Sequence, residues 1–183
     1  MDAWVISVFF VLSTILFLKY PQVYFETKFV SEILDYAGFS SIVLGALFRM
    51  SARGYKKIYS KESQSLVTAG PYTVTRNPMY LGTFLIGLGM LLMLYPFWSA
   101  LIYAVIFFLR FRTTIKKEED YLSAQFGNAY QDYCARVPRF FPKPAGWMTI
   151  NTIFSWEYGK LTQEKYGIIL WPATGLALNF LFK

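Results

Sequence analysis

At 183 residues the chain has room for one integral domain and little for a second core. It is 55% hydrophobic and 20% aromatic, and only 16% of its residues are charged, where a soluble domain carries about 25%. That balance excludes an ordinary soluble domain and points to a membrane. Lys and Arg outnumber Asp and Glu by 18 to 11, a net charge of +7, and there is no histidine. Imidazole catalysis and histidine metal ligation are thereby excluded. Cys134 is the single cysteine, so no intrachain disulfide forms, no zinc cluster is built and no metal site is expected. Cys134 itself reads as an idle thiol rather than a nucleophile.

Taken in chain order, the apolar runs predict about five transmembrane helices in an all-α bundle. Ala3 to Leu18 is the first, with Trp4 and Tyr20 at its ends. A hydrocarbon core needs about 20 residues, and the aromatic flanks bring this run to that length. It lacks the basic leader and small-residue cleavage site of a signal peptide. Ile33 to Met50 is the second run, Met79 to Leu94 the third and Phe97 to Leu109 the fourth. The third and fourth are short, which implies tilt, or extension into Arg110 and Arg112 with snorkelling stems. Thr113 to Val137 reads as an amphipathic helix on the cytoplasmic surface, with Ile115, Leu122, Phe126 and Tyr133 near one face. Gly127-Asn128 is a point of bending or breakage, and Val137-Pro138 ends the helix. Phe140 to Pro144 is an irregular connector. Trp147, Trp156 and Tyr158 suggest an interfacial segment before a last run, Tyr166 to Phe182, interrupted at Trp171-Pro172. The whole chain is read as one domain: N-terminal spans over 1–62, a central core over 63–143, and the interfacial segment with the last span over 144–183.

Charge sets the orientation. Arg49, Arg53, Lys56, Lys57, Lys61 and Arg76 stand against Glu62 in one connecting segment. Arg110, Arg112, Lys116, Lys117, Arg136, Arg139 and Lys143 follow the hairpin, while its Tyr95-Pro96 turn is uncharged. Lys and Arg collect on the cytoplasmic side, so both basic segments and the N-terminus are placed there. Most of these cations are explained by topology and contact with anionic membrane lipids. Nucleic acid is not an expected partner, because the charge flanks spans and has no folded domain of its own.

Two polar clusters bracket the hairpin. Gly70-Pro71-Tyr72 and Arg76-Asn77-Pro78-Met79-Tyr80 precede it; Glu118-Glu119, Phe126-Gly127 and Tyr130 follow it. Each by itself reads as punctuation: a turn at Gly70-Pro71, an Asn77 cap before a first-turn Pro78, a solvated pair of glutamates beside lysines. A hairpin returns to the face it left, so both clusters meet there. Polar groups gathered at the end of a membrane hairpin mark a site.

Together these residues resemble the superfamily of isoprenylcysteine carboxyl methyltransferases and phospholipid methyltransferases. The resemblance runs from about Gln64 to Pro142. It implies an integral-membrane methyltransferase that uses S-adenosylmethionine and binds it without a Rossmann sheet. Gln64, Ser65, Leu66 and Val67 fall where the family's backbone lines the cofactor. Tyr72 matches a cofactor-contacting tyrosine. Asn77, Pro78, Met79 and Tyr80 match the family's Arg-His-Pro-x-Tyr segment from its second residue on, and Glu118 matches a cofactor-binding glutamate. The physical roles are available: a carboxylate accepting charge-assisted hydrogen bonds from ribose hydroxyls or an ammonium, and tyrosine faces near a sulfonium, worth about 0.5–2 kcal/mol.

Two positions depart from that pattern. Asn77 stands where the family has histidine; it keeps a donor and an acceptor but carries no charge. The arginine that the family aims at the substrate carboxylate falls on Thr114. Arg112 is the nearest substitute, but it lies about 200° round an ideal helix from Thr114 and serves only if the helix bends or ends there. The implied activity is carboxyl O-methylation of a lipophilic, isoprenylcysteine-type acceptor at the cytoplasmic face. A carboxylate is deprotonated at neutral pH and needs no general base, which suits a chain without histidine. A phospholipid amine is the second acceptor class. A non-catalytic membrane scaffold on the same fold is the reading of another kind.

Overall fold

A computed structural model describes residues 28–63, 65–142, 154–155 and 162–182. The expected first span, Ala3 to Leu18, lies outside them, as do Gln64, Trp147, Trp156 and Tyr158. The described residues form five α-helices and no strand: α1 (Lys28–Ser63), α2 (Pro78–Leu94), α3 (Phe97–Phe126), α4 (Asn128–Arg136) and α5 (Gly167–Phe182). Short 3-10 turns at Gly70–Thr73 and Gln163–Tyr166 precede α2 and α5. Helices α1 and α3 are long and apolar enough to cross a membrane, and α2 is a shorter apolar helix.

Helix α2 is the centre of the bundle and touches α1, α3 and α5. Its sequence is apolar all round, as a helix with neighbours on every side should be. The closest approach is to α1. Gly38 and Gly45 on α1 face Gly89 and Gly82 on the antiparallel α2. A Cβ at Gly38 would lie 2.7 Å from the Gly89 carbonyl oxygen, and one at Gly45 or Gly82 would lie 2.6 Å from the other's carbonyl oxygen. Small residues at matched intervals let two backbones touch, which replaces the hydrophobic drive that lipid cannot supply. Between the two glycine contacts, Ser41 Oγ donates to Leu85 O at 2.8 Å.

Helix α3 buries Ser99, Ala100, Tyr103, Phe107, Phe111 and Ile115, a seam at steps of three and four residues. Its other side leaves Leu101, Ile102, Val105, Ile106 and Leu109 uncovered. A contiguous apolar face of that kind is what a lipid-embedded helix presents. The buried seam joins an aromatic cluster. Phe84 of α2 stacks on Tyr103 at 5.7 Å, Phe107 lies 4.3 Å from Phe111, and Phe140 and Phe141 pack in beside Phe108 at 5.0 and 5.7 Å.

Three expectations change. The fourth span and the amphipathic segment are not separate: α3 runs unbroken from Phe97 to Phe126. No glycine or proline interrupts that stretch, so nothing ends the helix at the end of the apolar run. Its 30 residues extend about 45 Å, past a hydrocarbon core of about 30 Å. The break comes at Gly127, whose φ is +52°, and α4 then ends before Val137-Pro138 as expected. Trp171-Pro172 does not interrupt α5, which carries Pro172 inside it. Asn77 precedes α2, but its side chain makes no capping hydrogen bond. Its Nδ2 donates to Arg139 O at 2.9 Å instead.

The glycine contact is directly testable. Gly45→Val forces backbone against backbone and should cost about 1–3 kcal/mol, read as a lowered Tm of the purified protein in detergent. Val105→Ala, on the uncovered face of α3, should stay within about 0.5 kcal/mol.

Candidate functional site

The hairpin of α2 and α3 brings the two polar clusters together. Tyr80, one turn into α2, packs its ring on Phe111 of α3 at 5.4 Å. Glu118 lies seven residues beyond Phe111 on the same face of α3, so the tyrosine hydroxyl reaches it. Tyr80 Oη donates to Glu118 Oε2 at 3.3 Å. Lys56 Nζ of α1 donates to the other oxygen of Glu118 at 3.0 Å.

These groups line one cavity of about 900 Å³, at the upper end of the range of ligand sites. Ser65, Leu66, Val67, Tyr72, Asn77, Pro78, Met79, Tyr80 and Glu118 all line it. Gln64 lies outside the described residues. Arg112 does not line the cavity and is exposed on α3. The helix does not end there but runs on to Phe126.

The loop before α2 is held by the segment after α4. Arg76 N donates to Pro138 O at 2.9 Å, and Tyr133 Oη donates to Tyr72 O at 2.7 Å. Tyr72 Oη in turn donates to Ala52 O of α1 at 3.4 Å. Burial pushes the Tyr72 hydroxyl well above its ordinary pKa, with Glu118 and Tyr133 adding to the shift. Tyr72 is therefore a neutral donor at physiological pH. Tyr130 and Tyr133 are raised as well, burial being the first cause for both.

The adjacent glutamates have different work. Glu118 faces the cavity with Tyr80 and Lys56. Glu119 Oε2 meets Arg139 Nη2 at 2.7 Å, and its Oε1 lies 3.4 Å from Arg76 Nη1. Arg76 also donates to the Cys134 sulfur. Burial disfavours the Arg76 charge, but Glu119 and Cys134 outweigh it and hold the guanidinium protonated. Cys134 is thus an acceptor in the lock between loop and α4.

Sequence reading missed the α1 wall. Arg49, Arg53 and Lys56 all line the cavity. Their spacing puts them on one helical face, a signal available in the sequence but masked by their evident use as topology charges. Glu164, in the turn before α5, was also missed. Its carboxylate receives Arg49 Nη2 at 2.8 Å and a second contact from Arg53 Nη1. Burial alone would raise the Glu164 pKa; the two arginines reverse this and hold it below the ordinary carboxylate value.

The described residues thus define a helical, membrane-type protein whose polar cavity, at the end of an apolar hairpin, is large enough for a nucleoside and part of a second molecule. Comparison with known proteins gives the family. Residues 34–129, just over half of the chain, match the phospholipid methyltransferase family, and the chain belongs to it. It is 29% identical over 133 residues to a protein-S-isoprenylcysteine O-methyltransferase of Schizosaccharomyces pombe, covering 68% of this chain and 56% of that one. It is 35% identical over 113 residues to protein-S-isoprenylcysteine O-methyltransferase B of Arabidopsis thaliana, covering 57% of each. The cobalt-zinc-cadmium resistance protein CzcN of Cupriavidus metallidurans is 29% identical over 140 residues, covering 76% of this chain and 62% of that protein. The chain therefore spans between 56% and 62% of the length of these three relatives. No solved structure matches it.

The Glu164 ion pairs carry a pH signature. A carboxylate with a depressed folded pKa adds stability above its unfolded value and loses it as pH falls through the folded one. The Tm gap between the wild type and Glu164→Gln should be constant above about pH 5 and should close as pH drops below about 4.5. A gap that widens in acid would contradict the pairing.

Proposed function

We propose that this chain is an integral-membrane, multi-pass methyltransferase that uses S-adenosylmethionine to methylate a lipophilic acceptor at the cytoplasmic face. The favoured reaction is carboxyl O-methylation of an isoprenylcysteine-type substrate. The observation that carries the reading is the meeting of Tyr80 and Glu118 on one wall of a nucleoside-sized cavity. Membership of the family and the names of the relatives support the activity.

The residues present fit the cofactor. Glu118 offers a carboxylate oxygen to ribose hydroxyls or to the amino acid ammonium, with Lys56 and Tyr80 fixing its direction. Main-chain groups at Leu66 and Val67 border the same cavity and suit an adenine edge. Tyr72, neutral and anchored to Ala52, presents a ring rather than a charge. Asn77 has already committed one amide hydrogen to Arg139, so its remaining donor and acceptor are what a ligand can use. When bound, the cofactor supplies an electrophilic methyl group on a sulfonium. The protein's part is alignment and exclusion of water, since in-line displacement on an ionised acceptor needs no proton removed. The basic ends of α1 and α3 support a cytoplasmic location for the cavity under the charge rule for membrane loops. The polar cofactor arrives from that side, and the acceptor slides in between helices from the lipid.

A phospholipid amine is the acceptor that the family's description favours. The discriminating experiment is methylation of a total lipid and prenylated-peptide extract with radiolabelled cofactor, followed by identification of the labelled species. Labelled methyl esters support the carboxylate reading, and labelled phospholipid headgroups replace it with the amine. Glu118→Ala should weaken cofactor binding at least tenfold, since hydrogen bonds to a charged group contribute about 1.5–3 kcal/mol. Failure of the purified wild type to bind S-adenosylmethionine saturably would leave only the scaffold reading.

A further inference from the structure

Four cations line the cavity: Arg49, Arg53, Lys56 and Arg76. Lys56 meets Glu118, and Arg76 is beside Glu119, both carboxylates of the cavity wall itself. Arg49 and Arg53 are different. They hold Glu164, a carboxylate that is not part of the lining and that comes from the turn leading into α5. Arg49 grips it as a fork, Nε to Oε2 at 3.3 Å and Nη2 to Oε1 at 2.8 Å. Its third nitrogen, Nη1, is braced by Thr83 Oγ1 of α2. A planar two-pronged contact of this kind matches a pair of carboxylate or phosphate oxygens, and here it holds a carboxylate. Arg53 completes the clamp and stays 53% exposed, whereas Glu164 is only 13% exposed. The clamp is therefore open on the Arg53 side.

The need for such a clamp comes from the positions around Thr114. No arginine stands at Thr114, and Arg112 does not line the cavity. Among the described lining residues, only Arg49 and Arg53 have cationic groups not engaged by a wall carboxylate. Resting on the carboxylate-acceptor reading, we propose that Arg49 and Arg53 are the acceptor-carboxylate clamp of this chain, and that Glu164 occupies it as an internal substitute which the acceptor displaces. The displacement is an exchange of one carboxylate for another, so the charge of the clamp stays balanced. Apparent acceptor affinity is then reduced by the fraction of molecules in which Glu164 is seated. The turn before α5 thereby becomes a built-in competitor that sets how readily the site accepts substrate.

The test uses the full chain in lipid nanodiscs and two probes, N-acetyl-S-farnesylcysteine and its carboxamide, with binding measured by calorimetry. Glu164→Gln should bind the acid about tenfold more tightly than the wild type, with the amide unchanged, and adding Arg53→Gln should cancel the gain. Arg53→Gln alone, at an exposed position that folding tolerates, should weaken the acid severalfold and leave the amide alone. An acid affinity that Glu164→Gln leaves unchanged or lowers, or an equal gain for the amide, overturns the proposal; so does an unchanged acid affinity in Arg53→Gln. S-adenosylmethionine binding, measured on the same samples, reports separately on the methyltransferase reading: its absence removes that reading while the acid and amide comparison still decides the clamp.

Discussion

The site depends on how closely α1 and α2 approach. Two glycines on each helix, set seven residues apart, bring the backbones into direct contact and fix their relative register. Because that register is set by main chain, it cannot drift as a contact of flexible side chains can. It puts Arg49 opposite Thr83, and so determines where the α1 cations stand relative to the start of α2. The α2–α3 hairpin then supplies the opposite wall. Tyr80 bridges the two scales: its ring belongs to the aromatic seam with Phe111, and its hydroxyl belongs to the polar cavity with Glu118.

Apolar runs and polar punctuation made much of this architecture readable from sequence. The Met79 to Leu94 and Phe97 to Leu109 runs correspond to α2 and the first half of α3, and the Gly127 break and Pro138 stop fall where their residues demand. What was not readable has particular causes. The continuity of α3 through Thr113 was hidden because the composition changes from apolar to charged there, while the backbone has no reason to stop. Asn77 has the residue type of a cap, yet a carbonyl from Arg139, distant in sequence, took its amide first. Tertiary competition of that kind leaves no local trace. Glu164 was invisible for the same reason, its partners being more than a hundred residues away.

The twin glutamates show how little adjacency in sequence says about role. Neighbours on a helix are turned about 100° apart, so Glu118 and Glu119 look in different directions. Both border the cavity, but Glu118 holds Tyr80 and Lys56 while Glu119 ties Arg76 and Arg139 into the lock that holds the loop before α2. Tyr133 and Asn77 reinforce that lock from either side. A loop carrying Tyr72, with no regular structure beyond one 3-10 turn, is thereby held by at least three elements. The cavity is thus shaped before any ligand arrives, which lowers the ordering cost of binding.

Gly127 gives the fold a sharp corner between α3 and α4, with φ +52° and ψ −125° and open space around it. That dihedral pair matches the leading position of a II′ bend, which glycine alone takes freely. Steric room is therefore irrelevant to what the position tolerates: alanine is penalised as surely as tryptophan, and even asparagine, at ease in the left-handed helical well, gains nothing here. The angle at which Tyr130 and Tyr133 lean over the cavity is inherited from a single hydrogen atom where every other residue carries a carbon.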